Sequence, residues 1–416
     1  MKYSAKTKKP HCIGYLIPEF PAQTHIFFWR EISALRELGV DTVLISTRRP
    51  AQGIVSHRWA ESAMRDTHYL LSKNWFDWIA SLLFLLRRSA GRIGPLAAAL
   101  GDDEYAGVRD RLSLMASLLV ASRLARFVRA NSLGHVHVGS CGRSAEIAAL
   151  GSILGGFTYS LSMLGPTFAT YGRQHRLKWR NAAFGLFQSQ MLVQEARQRL
   201  GPDFPERFAQ APVGVDTDRM DRTQPYQAWR PGDPCRLYSC GRLNPVKGHE
   251  DVVDAVCLLR ARGIDACLII GGEDERGGTG YRLDVQKHIQ KRDASQFVQL
   301  LGAVSEESNR SQYQAAHVYV MGSHDEAAGA VAAMEAMAMS TPVVMCRAGA
   351  TAELITEGED GLLTEPRCPE QLANAVERVL RNSALADHIR LNGRKKIKAR
   401  YSHRVSAEAL RRFLDV

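Results

Sequence analysis

The chain is predicted to be an α/β protein with two doubly wound, Rossmann-like domains that face a cleft. Its 416 residues exceed what a single hydrophobic core usually organises. Short apolar segments, typical of buried parallel strands, alternate with longer segments of helical periodicity. A polar, proline-containing segment at residues 217–234 separates two such alternating regions. We interpret this segment as an interdomain linker.

The first region, residues 1–216, begins with the strand–helix–strand order that opens a parallel sheet. An amphipathic helix is predicted at 24–38, and two or three long helices are predicted over 75–130. The strands of this region are predicted at 11–17, 42–46, 135–138, 158–163 and 184–187.

The second region, residues 217–402, shows the alternation more clearly. Its strands are predicted at 235–240, 266–271, 297–301, 317–321 and 342–346. In a doubly wound sheet, ligands bind beyond the carboxyl ends of the strands, where the strand order reverses, or between domains. Functional residues are therefore expected directly after these strands.

Composition and charge exclude several classes of protein. The N-terminal segment lacks the apolar core of a secretion signal, and the longest apolar run, Trp75–Leu86, is shorter than the roughly 20 residues that span a bilayer. The 8 cysteines show neither zinc nor redox spacing, as expected for a cytoplasmic protein. The net charge of +11 suits phosphorylated substrates or an anionic membrane. Nucleic acid is disfavoured because no binding motif accompanies the charge.

The segment SCGRLNPVKGHED, residues 239–251, combines two cations with the end of a strand. An apolar strand ends at Gly241, an Asn–Pro turn separates Arg242 from Lys247, and Gly248 opens a helix. An arginine fork and a lysine charge at such a position suit a diphosphate. The alternative is that both residues are solvated surface cations beside a turn.

The segment HDEAAGAVAAMEAMAMSTPVV, residues 324–344, places a loop of small residues between a strand and a helix. Gly329 lets a ligand approach the backbone, and the amides of Ala330 and Val331 are expected to face an anion at the helix start. Glu335 lies on an otherwise apolar helix and is a candidate acceptor for the two hydroxyls of a ribose. Alternatively, it is a surface glutamate on a packing helix.

A third segment, AGATAELITEGEDGLLTEP at residues 348–366, is interpreted mainly as structural. Gly349 permits a tight turn from strand to helix. Glu353 is expected to have a structural role first and a ligand-binding role second.

Together these motifs resemble those of family-four retaining glycosyltransferases. The resemblance rests on GRLNPVKG followed by MEAMAMSTPVV and AELITEGEDGLL. In the first region, GYLIPEFPAQTHIFFWREI, SLSMLGPTFATYG and KWRNAAF are similar to members that build exopolysaccharides and surface glycans. The resemblance implies a GT-B fold and the transfer of a sugar, with retention, from a nucleotide-sugar to a glycan or lipid-linked acceptor in polysaccharide biosynthesis.

The resemblance also implies roles for individual residues. Arg242 and Lys247 would hold the donor diphosphate and stabilise the charge of the leaving group, with Gly241 at the turn beside them. Glu335 would bind the ribose hydroxyls. Retaining transfer in this fold is thought to need no protein nucleophile, and neither a metal nor another cofactor is expected. The final helix, residues 403–416, would cross back onto the first domain.

The sequence departs from the family pattern near the expected sugar site. The family usually has two glutamates eight positions apart, but Ala327 stands at the first position. Glu326 would replace the missing glutamate if the loop shifts by one residue. Leu164 stands where the family often has a histidine, and a His-x-His-x-His pattern is reduced to residues 135–139.

These departures leave a second function open. The chain would then be a catalytically degenerate GT-B protein that binds a nucleotide-sugar or a partner protein without turnover. An NAD-dependent oxidoreductase is disfavoured because no Gly-x-Gly-x-x-Gly motif follows a strand. The carboxylate pair Asp102–Asp103 lies in a polar break between helices and is not expected to bind a metal.

The segment WFDWIASLLFLLRR, residues 75–88, has the composition of a helix that lies on an anionic membrane surface. Such a helix would keep the protein peripherally bound at the inner face of the membrane. The alternative is a helix buried in the first domain, which would hide both Leu83 and Leu86.

Overall fold

The computed structural model describes residues 12–22, 25–50, 59–71, 74–100, 107–165, 168–171, 175–327 and 329–414. Within these ranges the chain forms one parallel sheet of seven strands and a second parallel sheet of six. Helices cover both sheets. The predicted class, two doubly wound α/β domains, is confirmed.

The first sheet has the strand order of a doubly wound fold. Its strands are β1 (Cys12–Glu19), β2 (Asp41–Arg48), β3 (His68–Tyr69), β4 (His135–Val138), β5 (Thr158–Met163), β6 (Gly185–Phe187) and β7 (Phe208–Gln210). They lie side by side in the order β3-β2-β1-β4-β5-β6-β7, so the order reverses between β1 and β4. Two apolar clusters pack the two faces of this sheet.

The helices of the first domain are α1 (Ile26–Glu37), α2 (Ala60–Asp66), α3 (Trp75–Ser89), α4 (Ile93–Leu100), α5 (Val108–Ala130), α6 (Arg143–Gly155), α7 (His175–Trp179) and α8 (Gln190–Leu200). Helices α3, α4 and α5 confirm the long helices predicted over 75–130. Strand β1 is longer than predicted, since it continues through Pro18. Pairing of β1 with β4 ends at Leu16, so the N–H group that Pro18 lacks would face no partner strand.

The second sheet repeats the same topology. Its strands are β8 (Cys235–Cys240), β9 (Ala266–Gly271), β10 (Val298–Gly302), β11 (Val318–Met321), β12 (Val343–Cys346) and β13 (Leu362–Thr364), in the order β10-β9-β8-β11-β12-β13. The five predicted strands are confirmed to within one residue. Strands β3, β7 and β13 were not predicted, because two or three residues are too few for a periodic pattern to show.

The helices of the second domain are α9 (His249–Ala261), α10 (Arg282–Lys291), α11 (Glu306–Ala315), α12 (Val331–Ala338), α13 (Thr351–Leu354), α14 (Pro369–Arg381) and α15 (Ser383–Arg400). They are followed by α16 (His403–Phe413). Helix α16 packs on the first domain, where Ala407 and Leu410 join the apolar cluster around α1 and Phe413 stacks on Phe184 at 5.0 Å.

Residues 217–234, interpreted above as a linker, are packed against the second domain. Met220 and Trp229 lie in its apolar clusters. The guanidinium of Arg222 donates to the main-chain carbonyls of Gln314 and Met339, at the C-terminal ends of α11 and α12. Such carbonyls have no partner within their own helix, so Arg222 caps both helices and ties the segment to this domain.

Helix α3 exposes an apolar face. Leu83 is 51% and Leu86 is 62% exposed, whereas Trp78, Phe84 and Leu85 pack on the first domain. The exposed apolar side chains of α3 are Trp75, Phe76, Ile79, Leu82, Leu83 and Leu86. A fully buried helix is therefore wrong for this segment. None of the helices in the described ranges has the length and apolarity to cross a membrane.

Replacing Arg222 with alanine is expected to destabilise the second domain. The substitution leaves helix-terminal carbonyls without their charged donor, which costs roughly 1.5–3 kcal/mol. Urea unfolding followed by circular dichroism measures the effect. Arg219→Ala is the matched control, because this neighbouring arginine is 69% exposed and pairs with Asp216 near the surface. Equal unfolding midpoints for the two variants would contradict the capping role.

Candidate active site at the reversal point of the second sheet

The predicted donor-binding residues lie where the strand order of the second sheet reverses. Strand β8 ends at Cys240 and leads into Gly241 and Arg242, while the adjacent β11 ends at Met321 and leads towards Glu326. Because both strands are parallel, their carboxyl ends meet at one edge of the sheet, where doubly wound folds bind ligands.

The two loops that leave these strands touch through their backbones. Gly248 has φ +60°, and a Cβ atom there would lie 2.0 Å from the carbonyl oxygen of Gly322. A Cβ on Gly322 would in turn lie 2.4 Å from the carbonyl oxygen of Gly248. The N–H of His324 donates to the carbonyl of Val246 at 2.7 Å. Only glycine allows this approach, and it fixes the distance between the two loops.

This approach brings Lys247 and Glu326 together. The Lys247 ammonium forms an ion pair with the Glu326 carboxylate, and the Ser323 hydroxyl donates to the same carboxylate at 2.7 Å. The Glu326 side chain is only 8% exposed. The backbone of Glu326 is held by Ala350, whose N–H donates to its carbonyl at 2.7 Å. Gly349 is required here, because a Cβ on it would lie 2.6 Å from that same oxygen.

Arg242 is more exposed than Lys247, with 46% of its side chain accessible. Its Nη1 atom lies 2.5 Å from the Glu275 carboxylate, on the loop that follows β9. It also lies near His25 of the first domain: burial lowers the pKa of His25, and the positive charge of Arg242 acts in the same direction. Arg242 therefore sits at the boundary between the two domains.

The loop that carries Glu275 is organised by a single carboxylate. Asp274 accepts hydrogen bonds from the main-chain N–H groups of Arg276, Gly278, Gly280 and Arg282. Burial acts to raise the pKa of Asp274, but these N–H groups outweigh it and lower that pKa. Asp274 thus stays ionised and holds the loop beside Arg242.

The small-residue loop leads into α12 as the motif requires. Gly329 adopts φ +79°, and Ala330 precedes the first residue of the helix, Val331. No side chain among the described residues caps the N-terminus of α12. The first amides of the helix are therefore not engaged by a capping side chain, and their role towards an anion stays a prediction.

Glu335 is buried, and a surface position is wrong for it. One carboxylate oxygen accepts from Arg30 Nη2 at 2.7 Å, and the other accepts from the Tyr313 hydroxyl at 3.1 Å. Arg30 belongs to α1 of the first domain, so this pair joins the two domains at the predicted ribose position. Arg30 was not among the residues predicted from the sequence. Its signal was a pair of charges, Arg30 and Glu31, inside the apolar segment of α1.

Two further contacts bring the first domain onto the loops of the site. The Ser189 hydroxyl donates to the carbonyl of Ala327 at 2.7 Å. The carboxylate of Glu353 accepts from the N–H groups of Gln190 and Met191, at 2.7 and 2.9 Å, and so caps α8 across the domain boundary. Ala327 packs into the apolar core of the first domain. The structural role expected for Glu353 is thus a contact between domains.

The two histidines of the reduced His-x-His pattern lie in a polar ladder between β4 and β5 that is buried at its His137 end. His135 contacts the Thr158 and Ser160 hydroxyls, and His137 contacts those of Ser160 and Ser162. Burial lowers the pKa of His137 to about 3 and that of His135 to about 4. Both rings are therefore neutral at physiological pH. Leu164, at the expected histidine position, packs against the apolar cluster around α1.

Comparison with known proteins supports the interpretation of these motifs. Residues 223–396 match the family model described as Glycosyl transferases group 1. This range contains all the predicted donor-binding residues, from Gly241 to Glu335.

Curated relatives match slightly less than half of the chain. The D-inositol 3-phosphate glycosyltransferase of Geodermatophilus obscurus is 32% identical over 204 residues, which is 45% of this chain and 43% of the relative. The GDP-mannose-dependent alpha-(1-6)-phosphatidylinositol monomannoside mannosyltransferase of Mycobacterium tuberculosis is 26% identical over 214 residues, or 49% of this chain and 54% of the relative. The chain therefore matches about half the length of these relatives.

The similarity of fold covers almost the whole chain. Anabaena HepE, solved in complex with UDP, superimposes with a TM-score of 0.72 over 97% of this chain and 99% of HepE, at 14% sequence identity. At that identity the comparison speaks for the fold alone. The chain has the GT-B fold.

The sequence offered one carboxylate pair that was considered as a metal site. Asp102–Asp103 lies outside the described residues. Within the described ranges, no group of three or more His, Cys, Asp or Glu side chains is arranged to hold a metal ion.

The backbone approach at Gly248 provides a test of the site's construction. Gly248→Ala must push the two loops apart, and overpacking of this kind typically costs about 1–3 kcal/mol beyond the strain of a positive φ angle. Gly263→Ala is the control, since Gly263 has φ +79° but no atom within 4 Å of an added Cβ. Chemical unfolding should show a clearly larger loss for Gly248→Ala. A loss no larger than that of the control would refute the close approach.

Proposed function

We propose that the protein is a glycosyltransferase that moves a sugar, with retention, from a nucleotide-sugar to a glycan or lipid-linked acceptor in polysaccharide biosynthesis. The observation that carries the proposal is the set of Lys247, Glu326, Arg242 and Glu335 at one edge of the second sheet. That edge belongs to the region that matches the glycosyltransferase family. A hexose is the proposed sugar class.

The donor proposed here is a nucleoside diphosphate-sugar. Both cations of the site currently pair with carboxylates, Arg242 with Glu275 and Lys247 with Glu326. A diphosphate offers oxygen acceptors of higher charge to the same groups. HepE has been solved with UDP and with UDP-glucose, and the name of the mycobacterial relative specifies GDP-mannose. The mycobacterial relative supports the donor class, and HepE is an example of the same fold with a bound nucleotide-sugar.

The proposed reaction relies on preorganised charge. As the bond between the sugar and the diphosphate breaks, negative charge accumulates on the diphosphate, and Arg242 and Lys247 stabilise it. The departing diphosphate is the proposed acceptor for the proton of the attacking hydroxyl. Gly241, Gly329, Ala330 and Val331 would let the donor approach the backbone. Neither a metal nor another cofactor is part of this proposal.

The degenerate alternative depends on the missing glutamate at Ala327. Glu326 bears on it directly, because its carboxylate is buried against Lys247 rather than directed into solvent. We therefore propose that Glu326 takes the place of the first family glutamate. Incubation with radiolabelled nucleotide-sugars separates the two functions, since a degenerate protein would bind a donor without releasing nucleoside diphosphate.

Arg242→Ala and Lys247→Ala test the diphosphate site. Each should weaken the binding of UDP or GDP, measured by calorimetry, by roughly 1.5–3 kcal/mol, because each removes a charge-assisted contact. That corresponds to a loss of affinity of about ten- to a hundredfold. Lys287→Ala, which removes an exposed lysine of the same domain, is the control. Full affinity in both site variants would remove the basis of the proposal.

We further propose that the protein acts at the inner, cytoplasmic face of a membrane, with α3 as its contact. The exposed apolar face of α3 begins with Trp75 and Phe76 and ends near Arg87 and Arg88. Aromatic side chains suit the headgroup region, and arginines suit anionic lipid. A lipid-linked acceptor would be reached from such a position.

Sedimentation with vesicles that contain an anionic phospholipid tests this contact. The wild-type protein should sediment with them at low salt and be released at high salt. Replacing the exposed Leu82, Leu83 and Leu86 together with serine should abolish sedimentation at an unchanged melting temperature. Leu283→Ser/Leu391→Ser, at exposed leucines of the second domain, is the control and should still sediment. Wild-type protein that stays in the supernatant would refute the contact.

A further inference from the structure

We propose that Arg30 is an interdomain latch: it occupies Glu335 when no donor is bound, and the nucleotide must displace it. The inference rests on the proposed function, in which Glu335 binds the ribose of a nucleotide-sugar. It goes further by giving the first domain a role in admitting the donor. The established observation is the Arg30–Glu335 pair, at 2.7 Å between Nη2 and Oε1.

Both oxygens of Glu335 are already engaged in this arrangement. Arg30 takes one and the Tyr313 hydroxyl takes the other. Arg30 also lies 3.7 Å from Glu306, at the start of α11. The guanidinium is thus enclosed by α11 and α12 of the second domain, and its side chain is only 4% exposed. The Glu335 side chain is only 7% exposed in this arrangement, so ribose hydroxyls reach it only if Arg30 moves, and the two compete for one carboxylate.

The hydrogen-bonding groups of Arg30 are only partly used in its pair with Glu335, which favours its displacement by a ligand. Within the described part of the chain, the Nε and Nη1 atoms of Arg30 are buried without a hydrogen-bond partner. A buried donor without an acceptor opposes the closed arrangement, because water would satisfy it once the domains separate. The contact with Glu335 therefore holds the latch, and the two nitrogen atoms of Arg30 that lack acceptors weaken it.

Contacts between the domains also reach the segment of Glu326, the other carboxylate of the site. Ser189 of the first domain holds the carbonyl of Ala327, the residue directly after Glu326. The first domain thus contacts both segments that carry the predicted donor-binding carboxylates, the loop of Glu326 and helix α12 of Glu335. Nucleotide binding and the latch contact are consequently linked, and the linkage is reciprocal: the factor by which the closed latch lowers nucleotide affinity is the factor by which bound nucleotide disfavours the latch.

The test compares nucleotide affinity in the full-length protein with and without the latch. UDP, GDP, ADP and dTDP are titrated calorimetrically into the wild type, Arg30→Met and Arg36→Met. Methionine keeps much of the length of arginine but removes the charge. Arg36 is the matched control, since it lies on the same helix and, among the residues that the structure describes, donates to Thr42 of its own domain.

We expect Arg30→Met to bind the preferred nucleotide at least about fivefold more tightly than the wild type, the lower end of typical coupling between two sites. Arg36→Met should bind like the wild type. Should Arg30→Met fail to fold, Arg30→Lys replaces it, with a smaller gain in the same direction because lysine has no fork.

The possible results separate the latch from the proposed function. Unchanged or weaker binding in the Arg30 variant, with a wild type that does bind, overturns the latch and leaves the proposed function standing. If neither the wild type nor the variant binds any of the four nucleotides, the proposed function fails and the latch fails with it. Tighter binding in both the Arg30 and the Arg36 variants also overturns the latch, because the effect would then come from net charge.

Discussion

The candidate site depends on the close backbone approach of Gly248 and Gly322. The loops after β8 and β11 carry the cations and one carboxylate, and they lie within reach of each other only because neither glycine has a side chain at the crossing point. Once the loops are in contact, Lys247 faces Glu326 without further adjustment. Gly349 holds the backbone of Glu326 from the other side by the same means. Three glycines therefore determine where the charged groups lie, because they let the backbone segments that carry these groups approach each other.

A second level of organisation joins the two domains. The first domain supplies Arg30 to Glu335, Ser189 to Ala327 and the N-terminus of α8 to Glu353. All three contacts end on segments of the second domain that the motifs had marked. Helix α16 crosses back to the first domain, and residues 217–234 are attached to the second domain through Arg222. Specific polar contacts, together with the apolar packing of Ala327 and α16, therefore join the two domains, and the site is built by both domains together.

Much of the fold could be predicted because the buried parallel strands β9, β11 and β12 of the second domain are continuous apolar runs of four to six residues. The short edge strands β3, β7 and β13 could not, since two or three residues carry no period. The segment of α3 is a second case in which the sequence alone did not determine the structure. Its composition suited either a buried helix or an exposed one, and only packing of Trp78, Phe84 and Leu85 on α5 and α6 determined which side chains stay outside.

By itself, the sequence determined the class of the fold and the residue types of the donor site. Arg242, Lys247, Glu326 and Glu335 follow predicted strands, and the strand order places the ends of β8 and β11 side by side. Only the tertiary structure decided which charges face each other: Lys247 meets Glu326, and Glu335 meets Arg30 from a helix about three hundred residues earlier in the chain. Local periodicity encodes which residues are buried within an element. The partner of a buried charge is set by how distant elements pack, and no local pattern records that.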